Sequence, residues 1–263
     1  MTLLQRVLGK KCRMCGRHGI TIVGSVPLTQ HGAFDTEDYL LQHCPKCEIV
    51  YLDPLPSAHD LKLMYEESDQ FTDEHYTAPE RVSAILEFYD SALRDLQLMP
   101  PDGGKSLEVG AGFAWVSRAC KARESGVITV AQDVSAECAQ KCPWVDHYFV
   151  GSLEAISQRG PFHLISLTHV IEHLPDPAAM LRQVDSLLAP NGKVFITAPY
   201  RPSGWSRTQG IQPWLTYSYL HVPAHITYFS RRWFEKNARA FAIEFWDATA
   251  EDGQAFTLVL RKR

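Results

Sequence analysis

The sequence contains no run of apolar residues long enough to form a membrane-spanning helix. Such a helix needs about 20 consecutive apolar positions, and no stretch of the 263 residues provides them. The opening stretch, MTLLQRVLGKKC, has too short an apolar segment for a secretory signal peptide. With 45% hydrophobic and 21% charged residues, the chain is expected to be a globular cytoplasmic protein with one full core and a small appendage.

The sequence also lacks a large excess of either charge. It carries 26 Lys and Arg against 30 Asp and Glu, a formal net charge of −4, which argues against a protein that binds nucleic acid over much of its surface. One local exception is a group of five bases with no acid among the first 18 residues: Arg6, Lys10, Lys11, Arg13 and Arg17. These bases are interpreted as a solvated segment, with nucleic-acid contact as the alternative.

The cysteines are odd in number, and four of the seven form two close pairs. Two residues separate Cys12 from Cys15 and Cys44 from Cys47, and 28 residues lie between the pairs. In a cytosolic chain, paired cysteines favour a metal site over disulfides. Each pair fits a tight turn that directs two thiolates to one point, and four thiolates form the tetrahedral cage that zinc prefers. Because no coordination position stays open, this zinc is expected to be structural.

The segment that carries the four cysteines is predicted to be a zinc ribbon over residues 1–57. Its strands are expected in ITIVGSVPL, DYLLQHC and EIVYLDPLP. So short a segment buries little apolar surface, so a bound metal would stabilise it. Two alternatives stay open: His43 could replace one thiolate, or the cysteines could bind no metal. Cys120, Cys138 and Cys142 have no such spacing.

Two helices are predicted between the ribbon and the main domain, over residues 58–100. Ser57 and Asp60 have the spacing of a capping box, which marks the start of a helix. Pro79 stands near the first turn of the second helix, whose apolar residues recur at helical intervals. The stretch MPPDGGK then breaks the chain, and the main domain is expected over residues 101–263. The helices are expected to pack against it as lid elements.

Strand and helix patterns alternate from Lys105 onward. Seven strands are predicted, in KSLEV, VITVAQ, HYFV, FHLISLT, KVFITAP, IEFWDA and AFTLVLRK. This alternation indicates an α/β fold with a Rossmann-like, doubly wound and mostly parallel sheet. The last two strands are joined by a turn as a hairpin, so one of the seven is expected to be antiparallel. Ligands of such sheets bind at the carboxyl ends of the strands.

The turn after the first of these strands lacks the third glycine of a dinucleotide-binding motif. In LEVGAGFAW, Gly110 and Gly112 take the first two positions of G-x-G-x-x-G, and Trp115 takes the third. The third glycine lets helix and strand pack closely around a pyrophosphate, so a dinucleotide is disfavoured. Asp133 ends the second strand, where an acid either accepts hydrogen bonds from ribose hydroxyls or caps a helix. A ribose site without a pyrophosphate site predicts a mononucleoside cofactor.

Four motifs in succession resemble those of the class I S-adenosylmethionine-dependent methyltransferases: LEVGAGFAW, QDVS, FHLISLTHVIEHLPDP and LLAPNGKVFITAP. With HITYFS and the cysteine pairs, the chain is similar to the branch that has an N-terminal zinc-binding region and includes sugar C-methyltransferases and natural-product enzymes. The resemblance implies S-adenosylmethionine as cofactor. It places Gly110, Ala111 and Gly112 along the methionine part, Glu108 near its ammonium, Asp133 on the ribose, Ser152 and Leu153 at the adenine, and His169 over the methionine end.

Methyl transfer needs an aligned acceptor and, in many cases, a group that removes its proton. Histidine is the natural base near neutral pH, and His173 and His225 are the candidates, with His221 as a weaker one. The sugar C-methyltransferases that the chain resembles carry a Glu immediately before the histidine that matches His225. In this chain Ala224 stands in that place. Oxygen, nitrogen and carbon acceptors therefore all stay open. The aromatic segment between Pro199 and Leu220 is expected to cover the acceptor, or alternatively to pack in the core.

The segment from His169 to His173 also matches the metalloprotease motif H-x-x-E-H. Histidines four residues apart share one face of a helix and could bind a metal, with Glu172 as general base. That interpretation needs a substantial helix and a third ligand. Pro175 and Pro177 follow at once, and the sequence shows no third ligand in a helical context. A wall of the cofactor site is therefore the preferred interpretation.

The sequence thus predicts a methyltransferase for a small-molecule acceptor in a biosynthetic pathway. One alternative is a methyltransferase for RNA or protein that docks its substrate through the zinc ribbon, and the acidic remainder of the chain counts against RNA. Another is a catalytically silent scaffold, against which the intact cofactor motifs count. No membrane partner is expected. The acceptor, the methylated atom and the oligomeric state do not follow from the sequence.

Overall fold

The computed structural model describes residues 10–29, 32–66, 77–249 and 253–263. Within these residues the chain forms two β-sheets and several helices. The strands are β1 (Thr21–Val26), β2 (Tyr39–Cys44), β3 (Ile49–Asp53), β4 (Lys105–Val109), β5 (Ile128–Asp133), β6 (His147–Val150), β7 (Phe162–Thr168), β8 (Leu188–Pro199), β9 (Thr227–Tyr228), β10 (Phe241–Asp247) and β11 (Ala255–Lys262). The α-helices are α1 (Ala58–Glu66), α2 (Pro79–Asp95), α3 (Trp115–Arg123), α4 (Pro177–Leu187), α5 (Gln212–Leu215) and α6 (Arg231–Asn237). None of the helices in the described ranges has the length and apolarity to cross a bilayer.

The larger sheet has seven strands in the order β10–β11–β8–β7–β4–β5–β6. Strands β4 to β8 run parallel to one another, and β11 pairs antiparallel with both β8 and β10. The α/β class, the seven strands and the single antiparallel strand predicted from the sequence are confirmed. Successive strands are added on one side of β4 up to β6 and on the other side from β7 onward, so the strand order switches direction between β4 and β7. Sheets of this kind bind ligands at the carboxyl ends of the strands beside such a switch point.

The two helices expected after the ribbon are present. Ser57 and Asp60 form the capping box: the Asp60 amide donates to Ser57 Oγ at 3.0 Å, and the Ser57 amide donates to Asp60 Oδ2 at 3.2 Å. Pro79 is the first residue of α2, where its missing amide hydrogen costs nothing. The buried residues of α2, Tyr89 and Leu93, pack with residues of α3 and the sheet, so α2 is part of a layer that covers one sheet face.

The smaller sheet has the order β1–β2–β3–β9, and all its pairs are antiparallel. Three of its strands come from the predicted ribbon, whereas β9 comes from the far end of the chain. Its core also contains Trp205, Trp214 and Tyr217. For these three aromatic residues the packing alternative is therefore confirmed, while Tyr219 is only half-buried.

Candidate functional site

The carboxyl ends of β4 and β5 are joined by backbone and side-chain hydrogen bonds. The Ala111 amide donates to the Gln132 carbonyl at 3.0 Å, and the Gly112 amide donates to Asp133 Oδ2 at 2.8 Å. The glycine turn and the acid, which lie 21 residues apart in sequence, are thus in direct contact. The structure brings together the two features from which the sequence predicted a cofactor site.

Gly110 is required by the packing of the turn. Its φ is +60°, in the left-handed region that disfavours residues with a side chain. A Cβ at this position would lie 2.5 Å from Val170 Cγ2, in the segment that follows β7. The turn therefore has to be glycine for the ends of β4 and β7 to approach each other, whatever ligand binds there.

An aromatic group supports the turn from the side of β6. Trp115, at the position of the missing third glycine, stacks on Trp144 with ring centroids 5.9 Å apart, and the Arg118 guanidinium lies 4.6 Å from the Trp144 ring. Tyr148 donates its hydroxyl hydrogen to the Gly112 carbonyl at 2.9 Å. Sequence reasoning did not identify Trp144 or Tyr148 as supports, since they are distant in sequence and belong to no motif.

Asp133 is buried, with 6% of its surface exposed. Besides Gly112, it accepts a hydrogen bond at Oδ1 from the Ser135 amide at 2.9 Å, so it also caps the turn that follows. A carboxylate has about four acceptor sites, so two remain for hydroxyl groups. The capping alternative and the ribose contact are therefore compatible.

The end of β6 lies beside this acid, because the Gly151 amide donates to the Asp133 carbonyl at 2.8 Å. Ser152 and Leu153, predicted at the adenine, follow directly at the start of a short 3₁₀ helix. Leu153 is buried. Two neighbouring valines are unusually exposed for their type, Val134 by 59% and Val150 by 48%. An apolar surface thus borders the acid.

Glu108 contacts helix α3 instead of facing the open edge. Its buried carboxylate accepts hydrogen bonds from the Ser117 amide and hydroxyl at 2.8 Å each and from the Val116 amide at 3.2 Å. Burial raises the pKa of Glu108 to about 7, although these donors lower it. In the structure this carboxylate binds the first turn of α3. The predicted contact between Glu108 and the ammonium of the cofactor stays a prediction.

His169 leaves the carboxyl end of β7 with a φ of +54°, and its amide donates to the Thr197 carbonyl of β8 at 2.9 Å. Its side chain is 41% exposed, and Nδ1 lies 3.5 Å from Glu172 Oε1. The ring stacks on Tyr219 at 6.0 Å. Because Val170 packs against Gly110, His169 lies close to the glycine turn, as the predicted cofactor role requires.

The two histidines predicted as general bases are neighbours, with ring centroids 4.8 Å apart. His173 belongs to a 3₁₀ turn, Ile171–His173, so the long helix of a metalloprotease does not form. His225 is buried, and desolvation, followed by the charge of His173, lowers its pKa to about 3. Burial also lowers the pKa of His173. Both imidazoles are therefore neutral near pH 7.

The comparison with protein families decides the identity of the main domain. The family model described as a methyltransferase domain matches residues 79–241, more than half of the chain. The chain belongs to the class I S-adenosylmethionine-dependent methyltransferases. The family agrees with the strand order and with the resemblance of the four motifs.

Relatives and structural neighbours of this methyltransferase agree on the fold. The ubiquinone biosynthesis O-methyltransferase of Xanthomonas axonopodis pv. citri is 34% identical over 109 residues, which cover 38% of this chain and 44% of the relative. The match thus spans less than half of that relative's length. The pyocyanin biosynthetic protein PhzM superposes with a TM-score of 0.52 at 14% identity, covering 76% of this chain and 61% of PhzM. An O-methyltransferase family 2 protein from Planctomyces limnophilus, in complex with apigenin, superposes with a TM-score of 0.53 at 18% identity, covering 79% of this chain and 66% of that protein.

The four paired cysteines of the methyltransferase converge in space. Their sulfur atoms all lie within 4.8 Å of one another, with Cys12 and Cys47 3.8 Å apart and Cys15 and Cys44 3.6 Å apart. A tetrahedron of Zn–S bonds of about 2.3 Å has edges of about 3.8 Å, so the group fits a zinc ion. The ring of His43 packs edge-on against Trp205 and is not part of the group.

Arg13, within the first cysteine pair, ties the predicted ribbon to the segment that carries His225. Its guanidinium donates to the carbonyls of Leu52 at 3.2 Å and Ile226 at 3.0 Å and to Thr227 Oγ1 at 2.9 Å. Burial lowers its pKa to about 10, and it stays charged. Of the five early bases, this one is engaged inside the methyltransferase and does not offer a free contact to nucleic acid.

Proposed function

We propose that this chain transfers a methyl group from S-adenosylmethionine to a small-molecule acceptor in a biosynthetic pathway. The observation that carries the proposal is the contact between the Gly112 amide and Asp133 at the carboxyl ends of β4 and β5. The names of the relatives support a small acceptor, since they include a ubiquinone biosynthesis O-methyltransferase, a pyocyanin biosynthetic protein and a protein complexed with apigenin. The cytoplasmic location expected from the sequence stays a prediction.

The cofactor is proposed to lie along this edge of the sheet. The backbone of Gly110, Ala111 and Gly112 would pass its methionine part, and the two remaining acceptor sites of Asp133 would receive the ribose hydroxyls. The adenine would contact Ser152 and Leu153, beside the exposed valines at positions 134 and 150. His169 would cover the methionine end. Glu108 would act mainly by holding the start of α3.

The reaction displaces the sulfur from the methyl carbon. The acceptor atom forms a bond to that carbon, and the electron pair of the broken carbon–sulfur bond stays on sulfur. A hydroxyl or amine acceptor also releases a proton, which the sequence assigns to His225 or His173. Their neutral rings leave Nε2 able to accept it, but a pKa of about 3 makes His225 a weak base. The curated sequence relatives are named O-methyltransferases, which favours an oxygen acceptor.

The cysteine group is proposed to hold one structural zinc ion. The two short sulfur–sulfur distances, 3.8 and 3.6 Å, support this assignment. Zinc with four thiolates has no open position for an acceptor, so its contribution would be to stabilise β1, β2 and β3. This segment and the helices of residues 58–100 would then frame the methyltransferase domain of residues 101–263.

Asp133→Asn tests the cofactor assignment directly. The variant replaces one acceptor oxygen by an amide donor, so we expect the affinity for S-adenosylhomocysteine, measured by titration calorimetry, to fall about 10- to 100-fold. Asp146→Asn is the matched control, because Asp146 accepts hydrogen bonds from Thr129 at the opposite edge of the sheet. It should lower stability and leave affinity unchanged. Equal affinities for Asp133→Asn and the parent chain would refute the ribose contact.

The acceptor class requires a second measurement. Transfer of a labelled methyl group from the cofactor to a panel of phenols, catechols, amines and activated carbon acids should identify at least one substrate class. Chains that bind the cofactor yet methylate total RNA or protein, and none of these small molecules, would contradict the proposal and favour a macromolecular acceptor.

A further inference from the structure

Glu172 is a fully buried carboxylate that lacks ordinary hydrogen bonds. Neither carboxylate oxygen has a hydrogen-bond partner among the residues that the structure describes. The imidazole nitrogens beside Glu172 Oε1 are His169 Nδ1 at 3.5 Å and His173 Nε2 at 3.8 Å, both beyond normal hydrogen-bond length. A buried charge of this kind needs a compensating partner, so the site favours a bound cation.

Backbone carbonyls fix the orientation of the two adjacent histidines. His173 Nδ1 lies 3.0 Å from the Ala224 carbonyl, and His225 Nδ1 lies 2.8 Å from the Tyr219 carbonyl. A carbonyl oxygen only accepts, so each Nδ1 carries the hydrogen and each Nε2 keeps a lone pair. Histidines that bind metals are oriented in this way, with the second nitrogen donating to a carbonyl or carboxylate.

One ligand atom from each of Glu172, His173 and His225 lies within 4.8 Å of the other two. Ligands that share an ion at about 2.1 Å lie no more than about 4.2 Å apart, so small side-chain rotations would close the set. We propose that these three side chains form a second metal site, separate from the cysteines, that takes one divalent first-row transition ion. In this set His225, which lies 52 residues beyond His173, joins Glu172 and His173 of the H-x-x-E-H segment, and His169 is not a ligand.

The donor set determines the class of ion. Two imidazoles and one carboxylate suit Zn²⁺, Mn²⁺, Fe²⁺ or Co²⁺, whereas Mg²⁺ and Ca²⁺ prefer sites made only of oxygen ligands. Three protein ligands leave a coordination position open, unlike four cysteines. The exposed ring of His169 lies beside this group, with Nδ1 3.5 Å from Glu172 Oε1.

The inference does not depend on the acceptor or on the methyl transfer. In the metal-bound form, His173 and His225 would not be the bases considered for the acceptor proton, because a nitrogen bound to a metal has no lone pair left for a proton. It also leaves the H-x-x-E-H protease excluded, since Glu172 is a ligand here and no catalytic helix forms.

Cobalt binding to the full chain separates the two sites. Thiolates bound to Co²⁺ give a sulfur-to-metal charge-transfer band, which imidazole and carboxylate do not. We expect two equivalents of Co²⁺ per chain, of which only one adds charge-transfer absorbance. In Glu172→Gln and His225→Gln the equivalent without that band should bind at least about 100-fold more weakly, while the thiolate equivalent and the circular dichroism spectrum stay unchanged.

His221→Gln is the matched control. Its ring stacks on His225 at 4.6 Å, but it is not one of the three ligands, so the second equivalent should be retained. A parent chain that binds a single equivalent, or a Glu172→Gln variant that binds both as tightly as the parent, would overturn the proposal. A variant that loses its circular dichroism spectrum is replaced by His173→Gln, for which the same outcomes apply.

Discussion

Gly110→Ala tests whether the glycine turn is set by sterics. The substitution places a Cβ in the left-handed region and against Val170 Cγ2, so we expect the free energy of unfolding to fall by about 2–4 kcal/mol. Gly103→Ala is the matched control: its φ is +69°, but nothing lies within 4 Å of the added Cβ. It should cost only the backbone strain, about 1–2 kcal/mol. If urea denaturation gave the same loss in the free energy of unfolding for both variants, the contact with Val170 would not contribute to the effect.

Glu108 should make stability depend on pH. Its pKa is about 7 in the folded chain, above its ordinary value of 4.5, so between these values the folded state binds more protons than the unfolded state. Its contribution to stability is therefore complete below the lower pKa and is lost as the pH rises through 7. Glu108→Gln cannot titrate. Urea denaturation from pH 5 to 8 should show the parent losing about 2.5 kcal/mol relative to the variant, whereas parallel curves would contradict the assignment.

Single residues differ in how far the sequence could reveal them. Gly112 and Asp133 could be predicted to meet, because each follows a predicted strand and parallel neighbours end at the same edge. The metal-ligand role of Glu172 could not, because its partner His225 is distant in sequence and nothing local indicates that the chain returns there. The direction of the Glu108 carboxylate was also missed. The motif indicates where Glu108 lies in the chain, but it does not show that groups of α3 donate hydrogen bonds to its carboxylate.

Arg13→Lys tests how β9 is attached to the ribbon. A planar guanidinium reaches three acceptors, on Leu52, Ile226 and Thr227, whereas an ammonium on a single stem cannot match this geometry. We expect the free energy of unfolding to fall by about 1–3 kcal/mol. Arg17→Lys, at an exposed position of the same ribbon, should change it by less than about 0.5 kcal/mol. Similar effects of the two variants on chemical denaturation would mean that Arg13 does not hold the elements together.

Elements with strong periodicity could be predicted, and weakly patterned ones could not. All seven strands of the larger sheet lie where the alternation of patterns places them, although β8 begins at Leu188, before the predicted KVFITAP. Strand β9 has two residues, Thr227 and Tyr228, too few for any period to show. Its pairing with β3 is a tertiary effect, and so the sharing of one sheet between the two ends of the chain is absent from the sequence patterns.

At the scale of the molecule, the cysteine group and the larger sheet share one hydrophobic core. Cys12, Cys44 and Cys47 belong to the same cluster as Leu107 of β4 and Phe234 of α6. The Ser230 hydroxyl donates to the Cys47 carbonyl at 2.6 Å, and Arg232 pairs with Glu48 at 2.9 Å. The sequence analysis predicted a ribbon over residues 1–57, because its cysteine pairs and strand patterns can be identified within that segment alone. Contacts of this kind instead lead us to expect one cooperative unit.

Cys15→Ser tests this cooperativity without a chelator, which would also remove a metal held by Glu172. The variant should lose about one metal ion per chain, and calorimetry should show a single unfolding transition at a lower temperature than in the parent. S-adenosylhomocysteine should raise that one transition in both chains, because a ligand stabilises every part that unfolds with its site. Cys138→Ser, outside the group, should keep the metal. Two transitions, of which the ligand shifts only one, would mean that the ribbon and the methyltransferase domain fold independently, since a ligand bound to one unit cannot stabilise another that unfolds alone.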